Sequence, residues 1–289
     1  MTKEHQSRLA EEFRRRHHGR PLLLLPNAWD AMSARVFEAA GFDAIATTSG
    51  GVAWALGFAD GEQAPWQEVV AATARITRCV RVPVTADIEG GYGESPGEVA
   101  SKVTDIIRAG AVGINLEDGT HRVDMPVRSM DDAVARIGAA RAAARAEGVP
   151  LVINARIDLY LKKFGDDETR FAETVRRGKA YLAAGADCIF PFGLSDLNTA
   201  ADLARALDAP VNIVGRRGMP DVAQLERLGI ARVSTASGPS LVVMSTIRQM
   251  AGELHGKGQF NTLDSPMTRA DAQALFAATQ VDVKERVAS

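Results

Sequence analysis

The stretch Pro83-Val84-Thr85-Ala86-Asp87-Ile88-Glu89-Gly90-Gly91-Tyr92-Gly93 sets the terms on which the rest of the chain is read. Its first four residues are short, apolar and β-branched at the centre, the signature of a buried strand, and they run straight into two carboxylates and three glycines. Two acids at the end of a buried strand repel each other unless a proton or a cation lies between them. A hard, oxygen-seeking ion such as Mg2+ meets that demand, with Mn2+ as the alternative.

Outward from this stretch the same unit recurs. Apolar runs at residues 22–25, 43–48, 83–86, 112–116, 151–155, 187–190, 211–214 and 231–234 are each followed by a helical pattern. Several of these helices carry their own punctuation. Asp30 is placed to cap a helix that runs through Ala40 and stops at Gly41, Ser95-Pro96-Gly97-Glu98 is a capping box, and Gly185 ends the helix over 167–184. Strands alternating with helices, with no Pro- or Ser-rich linker between them, predict one (β/α)8 TIM barrel over residues 1–255, including an N-terminal helix. Residues 256–289 form a separate C-terminal tail, helical in pattern over 265–281, which is expected to pack on a neighbouring subunit.

Composition narrows the function. A formal net charge of -2 and a sequence pI near 6.2 give no pull toward nucleic acid or an anionic membrane. Residues 1–20 are charged throughout, with Leu9 and Phe13 at i,i+4 marking an amphipathic helix, and no stretch approaches the roughly 18 apolar residues of a membrane span. Cys79 and Cys188 are too few for a disulfide framework and lie in no metal-binding pattern, so a reducing cytoplasm is expected. Small-molecule chemistry remains.

In a parallel barrel that chemistry gathers where the strands end. The ends offer Asn27, Trp29 and Asp30, then Ser49, Gly50 and Gly51, then Asp87 and Glu89, Glu117 and Asp118, Arg156 and Asp158, Asn212 and Ser234. Asp87, Glu89 and Glu117 come from adjacent strands and can surround one metal ion, directly or through water. Arg156 is a fixed fork suited to a substrate carboxylate, and the backbone of Ser49-Gly50-Gly51 can donate to a developing oxyanion. Such a set chelates a 2-oxo or 2-hydroxy acid and stabilises an enolate.

Pro26-Asn27-Ala28-Trp29-Asp30, Thr48-Ser49-Gly50-Gly51, Ala86 to Gly93, Asn115-Leu116-Glu117-Asp118, Asn154-Ala155-Arg156 and Ala184 to Phe190 together resemble, in order, the isocitrate lyase and phosphoenolpyruvate mutase superfamily. The resemblance implies a Mg2+-dependent barrel that breaks C–C or P–C bonds of small carboxylic acids, commonly as a tetramer with swapped C-terminal helices. It implies Asp87 as principal metal ligand with Glu89 and Glu117 around it. Trp29, Ser49, Gly50, Gly51, Arg156 and Asn212 would hold substrate, and Asp60 would line the pocket.

The departures from the family pattern guide the choice of reaction. Lyases of the isocitrate type carry a Cys within Lys-Lys/Arg-Cys-Gly-His after the fourth strand, whereas here the loop reads Gly119-Thr120-His121-Arg122-Val123-Asp124-Met125-Pro126. His121 is then the candidate proton donor of the gate, with Arg122 as a charge clamp. Pro191-Phe192 stands where many members place a Glu, and Glu89 replaces the more usual Asp. The expected enzyme is a Mg2+-dependent carbon–carbon lyase of the decarboxylase or retro-aldol/retro-Claisen type, cytoplasmic and a homodimer or homotetramer. A phosphonate mutase or P–C hydrolase is the alternative, and a catalytically idle binding homologue is a third reading.

Overall fold

The computed structural model describes residues 1–277. Among them, eight parallel strands close into a barrel, each strand short and buried because its apolar side chains face either the barrel interior or the surrounding helices. Strand β1 has two pieces, Leu23–Leu25 and Asn27–Ala28, separated by Pro26, which has no N–H to donate to a ladder. One piece pairs with the last strand of the barrel and the other with the second, so the break lets a single strand close the circle. The others are β2 (Ile45–Thr47), β3 (Val84–Asp87), β4 (Gly113–Glu117), β5 (Val152–Ile157), β6 (Cys188–Pro191), β7 (Asn212–Val214) and β8 (Arg232–Ser234). A single parallel bridge, Ile189 to Val211, joins β6 to β7.

The helices follow the punctuation. After α1 (Lys3–Arg16), α2 (Ala31–Ala39) opens on the Asp30 capping box, and α5 (Pro96–Arg108) opens on the Ser95/Glu98 box with Pro96 in its first turn. Between them lie α3 (Ser49–Leu56) and α4 (Trp66–Cys79). The rest of the outer ring is α6 (Met130–Glu147), α7 (Asp167–Ala184), α8 (Leu197–Leu207), α9 (Val222–Arg227) and α10 (Gly238–Lys257). Helix α3 departs from the sequence reading, which placed Ser49-Gly50-Gly51 at the end of a strand and not within a helix. Gly51 is close-packed, since a Cβ there would lie 2.6 Å from Thr48 Cγ2 and 2.8 Å from Trp29 Cβ, and that tight fit lets the chain turn at once into a helix.

Helix α1 plugs the end of the barrel opposite the strand termini. Its apolar face, Leu9, Ala10 and Phe13, is buried rather than solvated. Gln6 Nε2 donates to the carbonyls of Ile107 and Ala111 at 2.7 and 2.9 Å, satisfying the end of α5. Above the plug lies a polar layer inside the barrel. Arg232 is fully buried, donates to Asn115 Oδ1 at 3.2 Å and faces His17 Nε2 at 3.4 Å, while Asn154 Nδ2 reaches the same Asn115 oxygen at 2.8 Å.

The tail is described only in part. Residues 269–277 are helical, and the expected helix over 265–281 extends beyond the described residues.

Among the described residues, no helix is long and apolar enough to cross a membrane.

His17 yields a test of the plug. Nδ1–H donates to the Phe13 carbonyl at 2.8 Å, leaving Nε2 as a lone pair toward the Arg232 guanidinium. Burial, then the Arg232 charge, lowers the His17 pKa from 6.5 to about 3. Between those values the unfolded chain binds a proton that the folded chain refuses, so His17 costs stability as pH falls through that window. Urea unfolding of the native protein and His17→Gln across the window is expected to show a smaller acid loss in the variant; parallel curves would contradict this account.

Candidate active site

Strand register builds the centre of the site. Glu117 and Arg156 are paired positions on β4 and β5, and a one-residue slip would send one of them to the opposite face. Arg156 Nη1 meets Glu117 Oε2 at 2.7 Å, while Nε and Nη2 donate to the two Asp158 oxygens at 2.6 and 2.9 Å. The guanidinium also lies over the Phe192 ring, 3.9 Å from its centroid. Gly119 leaves room for this arrangement, because a Cβ there would lie 2.2 Å from Asp158 Oδ2.

A cavity of about 250 Å3 opens beside this pair. Five carboxylates line it, Asp60, Asp87, Glu89, Glu117 and Asp158, together with Ser49, His121, Arg156 and Lys162; Phe190, Phe192 and Leu161 supply the apolar part of its lining. Burial pushes the carboxyls of Asp87 and Glu117 up despite the opposing charge of Arg156. Glu89 is pushed up to about 8, by burial first and then by Asp87, Asp60 and Glu62, against the Glu62 N–H that favours its ionised form. The Arg156 pKa is raised as well: burial works against its cation, and the Glu117 and Asp158 charges outweigh that effect.

Glu89 is held by strained backbone. Glu62, Glu89 and Tyr92 all have positive φ, of 57°, 51° and 51°, a conformation that costs a non-glycine residue about 1 kcal/mol or more. The network that over-determines them is local. Glu62 N–H reaches both Glu89 carboxylate oxygens at 3.0 Å, Tyr92 O–H donates to Glu89 Oε1 at 3.1 Å, and Tyr92 N–H donates to Glu62 Oε1 at 2.8 Å. From the gate, His121 Nε2 lies 3.3 Å from Glu89 Oε2, and its ring rests against Gly61.

The residues expected to form the site divide into two groups. Asp60, Asp87, Glu89, Glu117, His121, Arg156 and Ser49 come together around the cavity. Gly50, Gly51, Trp29 and Asn212 are not among its lining residues: Gly51 packs against Trp29, and Asn212 is buried with Nδ2 donating to Ser234 Oγ at 3.2 Å. One expected contact also differs. The Ser49 N–H points at Asp87 Oδ2 at 3.2 Å instead of an open oxyanion position, a carboxylate at the start of α3. Arg156 lines the cavity and at the same time braces two acids of the protein, Glu117 and Asp158.

Asp118 turns away to Arg177 and Tyr181, at 3.0 and 2.7 Å. Arg122 pairs with Asp124 on the exposed loop instead of clamping the cavity. Burial pushes both thiols up, Cys79 to about 11 and Cys188 to about 12, and neither lines the cavity. Lys162 and Leu161 carried no sequence signal, since they belong to the turn after β5, whereas Phe190 ends the apolar run over 187–190 but had no site role assigned to it.

The donor set fits a divalent metal. Asp87 Oδ1 is buried with no hydrogen-bond partner among the described residues, and donor atoms of Glu89, Glu117 and His121 lie within 4.8 Å of one another. Asp87 is not one of that trio and lines the same cavity.

Known proteins share this architecture. The family model described as phosphoenolpyruvate phosphomutase matches residues 13–255. An uncharacterized protein of Mycobacterium tuberculosis (strain H37Rv) is 37% identical over 224 residues, covering 77% of this chain and 81% of its own. The oxaloacetate decarboxylase of Ectopseudomonas mendocina is 31% identical over 216 residues, 71% of this chain and 70% of its own. The crystal structure of 2,3-dimethylmalate lyase superposes with a TM-score of 0.83 at 26% identity, covering 97% of this chain and 99% of that one. A barrel with its acids on one rim, matched along most of its length, places the chain in the phosphoenolpyruvate mutase and isocitrate lyase superfamily.

Proposed function

We propose that the protein is a Mg2+-dependent carbon–carbon lyase, of the decarboxylase or retro-aldol/retro-Claisen type, acting on a small 2-oxo or 2-hydroxy carboxylic acid. One observation carries this reading: a single cavity combines five carboxylates with an apolar wall of Phe190, Phe192 and Leu161. The acids suit a cation that chelates an oxo or hydroxy acid, and the apolar wall suits carbon substituents. Relatives named for oxaloacetate decarboxylation and 2,3-dimethylmalate lysis support it. The description of the matching family model supports the alternative, a phosphonate mutase or P–C hydrolase.

Asp87, Glu89 and Glu117 would hold the metal, with Mn2+ as the alternative ion because it accepts the nearby imidazole more readily. When bound, the cation supplies Lewis acidity toward substrate oxygens. The chain's own residues do the rest. Arg156 keeps Glu117 and Asp158 fixed and adds a pre-oriented positive charge, which favours the negative charge that develops as the bond breaks. The electron pair of the broken bond passes to the enolate while the other fragment leaves as CO2 or as a carbonyl compound (an acid, after addition of water, in the retro-Claisen case). His121, at the gate, takes up the proton that the substrate hydroxyl or the water gives up and returns it to the enolate carbon, and in decarboxylation it delivers one from solvent. Asp60 and Ser49 border the same space and position the substrate. Exposed Leu241, Val242, Met244 and Ile247 on α10 support a homo-oligomer that covers this face.

An NMR time course with Mg2+, and separately with EDTA, tests the reaction against oxaloacetate, methyl-substituted malates, methylisocitrate and phosphonopyruvate. Metal-dependent release of a 2-oxo acid from a carbon-only substrate is the expected result; turnover confined to phosphonopyruvate would replace it with P–C chemistry, and turnover of none would reject both. His121→Ala is expected to lower kcat by about a hundredfold or more while Mg2+ still binds. Unchanged turnover would remove His121 from the proton transfer.

A further inference from the structure

Lys162 is a cation of the cavity lining that the mechanism above does not use. Its nitrogen has no carboxylate partner among the described residues; Nζ donates to the Thr120 carbonyl of the gate loop at 3.1 Å. In a cavity with five acids that is an unusual position for a lysine, since each of those acids offers a stronger attraction than a carbonyl.

The backbone explains why Lys162 stays where it is. Its own N–H donates to the Asp158 carbonyl at 2.9 Å, and the preceding Leu161 N–H donates to the Phe192 carbonyl at 3.2 Å. Gly193 packs so closely on this turn that a Cβ would lie 2.6 Å from Leu161 N. The turn after β5 is therefore anchored to the rim on both sides, and Lys162 projects from a fixed base to the boundary between the cavity and the gate.

Arg156 already spends three of its five N–H donors on acids of the protein. Its Nη1 faces Glu117, its Nε and Nη2 face Asp158, and its flat side lies on Phe192. A second anionic group on the substrate, at the end away from the acid cluster, finds two unfilled donors on the Lys162 ammonium.

We propose that Lys162 is the specificity-determining receptor for a second anionic group of the substrate, a carboxylate or a phosphonyl group, and that its bond to the Thr120 carbonyl latches the gate loop to the rim. The inference rests on the reading that a 2-oxo or 2-hydroxy acid binds with its first carboxylate at the acid cluster. An anion on Nζ then lies against the carbonyl of Thr120, so that capture of the substrate's far end and the position of the gate residue His121, next in sequence, are set by the same ammonium group.

Calorimetric titration of the Mg2+-supplemented protein with malate, 2-hydroxy-3-phosphonopropionate and 2-hydroxybutyrate separates the possibilities. The native protein is expected to prefer one or both acids bearing the second anion. Lys162→Met is expected to lose that preference, with affinity for the preferred acid falling roughly tenfold to a hundredfold, 2-hydroxybutyrate unchanged and Lys162→Arg retaining most of the effect. Malate and the phosphonate differ in which source of charge the site accepts. Equal loss for all three acids, no loss, or no preference in the native protein would overturn the inference alone; a native protein that binds none of them would overturn the functional reading beneath it. Tryptic cleavage after the exposed Arg122 reads the latch without any ligand. Faster cutting in Lys162→Met supports it, and equal rates refute it.

Discussion

The pairing of Arg156 with Glu117 and Asp158 is the constraint on which the rest of the site depends. Five carboxylates around a cavity of about 250 Å3 would drive one another apart or take up protons. A guanidinium set among them by strand register, backed by the Phe192 ring, is the protein's own answer to that repulsion. It is a partial answer. Asp87, Glu89 and Glu117 remain pushed up by burial, which leaves them stabilised further by any cation that enters. Truncating one member of such a buried group leaves its partners uncompensated and is commonly worth about 3–5 kcal/mol.

The two ends of the barrel divide the labour. At one end, α1 buries Leu9, Ala10 and Phe13 and places His17 against Arg232, so that end is closed by packing and by a histidine kept neutral. At the other, the chain tolerates positive φ at Glu62, Glu89 and Tyr92 in order to aim one carboxylate into the cavity. Strain and repulsion concentrate where strands end, and the polar layer of Arg232, Asn115 and Asn154 lies between the two ends.

Much of this was legible in the sequence because barrel strands announce their ends. A buried apolar run followed by an acid or an arginine identified Asp87, Glu117 and Arg156 as rim residues, and Gly90-Gly91 marked the turn that carries Glu89. What strand-end position does not convey is direction. Asn212 and Asp118 also follow or open strands, yet they bond to Ser234 in one case and to Arg177 and Tyr181 in the other. Ser49-Gly50-Gly51 resembles a loop because glycine disfavours helices, and close packing against Thr48 and Trp29 overrides that propensity. Lys162 depends on how the turn after β5 meets the gate loop and the rim, and no local pattern encodes that meeting.

The most direct test of the account is a calorimetric titration of Mg2+ into the native protein and into Asp87→Asn, both in metal-free buffer near neutral pH. If the acid cluster is a divalent-cation site, the native protein binds Mg2+ at a single class of site and the variant, deprived of the buried carboxylate whose Oδ1 has no hydrogen-bond partner among the described residues, binds it at least about tenfold more weakly. Equal binding by the two proteins, or none by the native protein at millimolar Mg2+, would contradict the central claim.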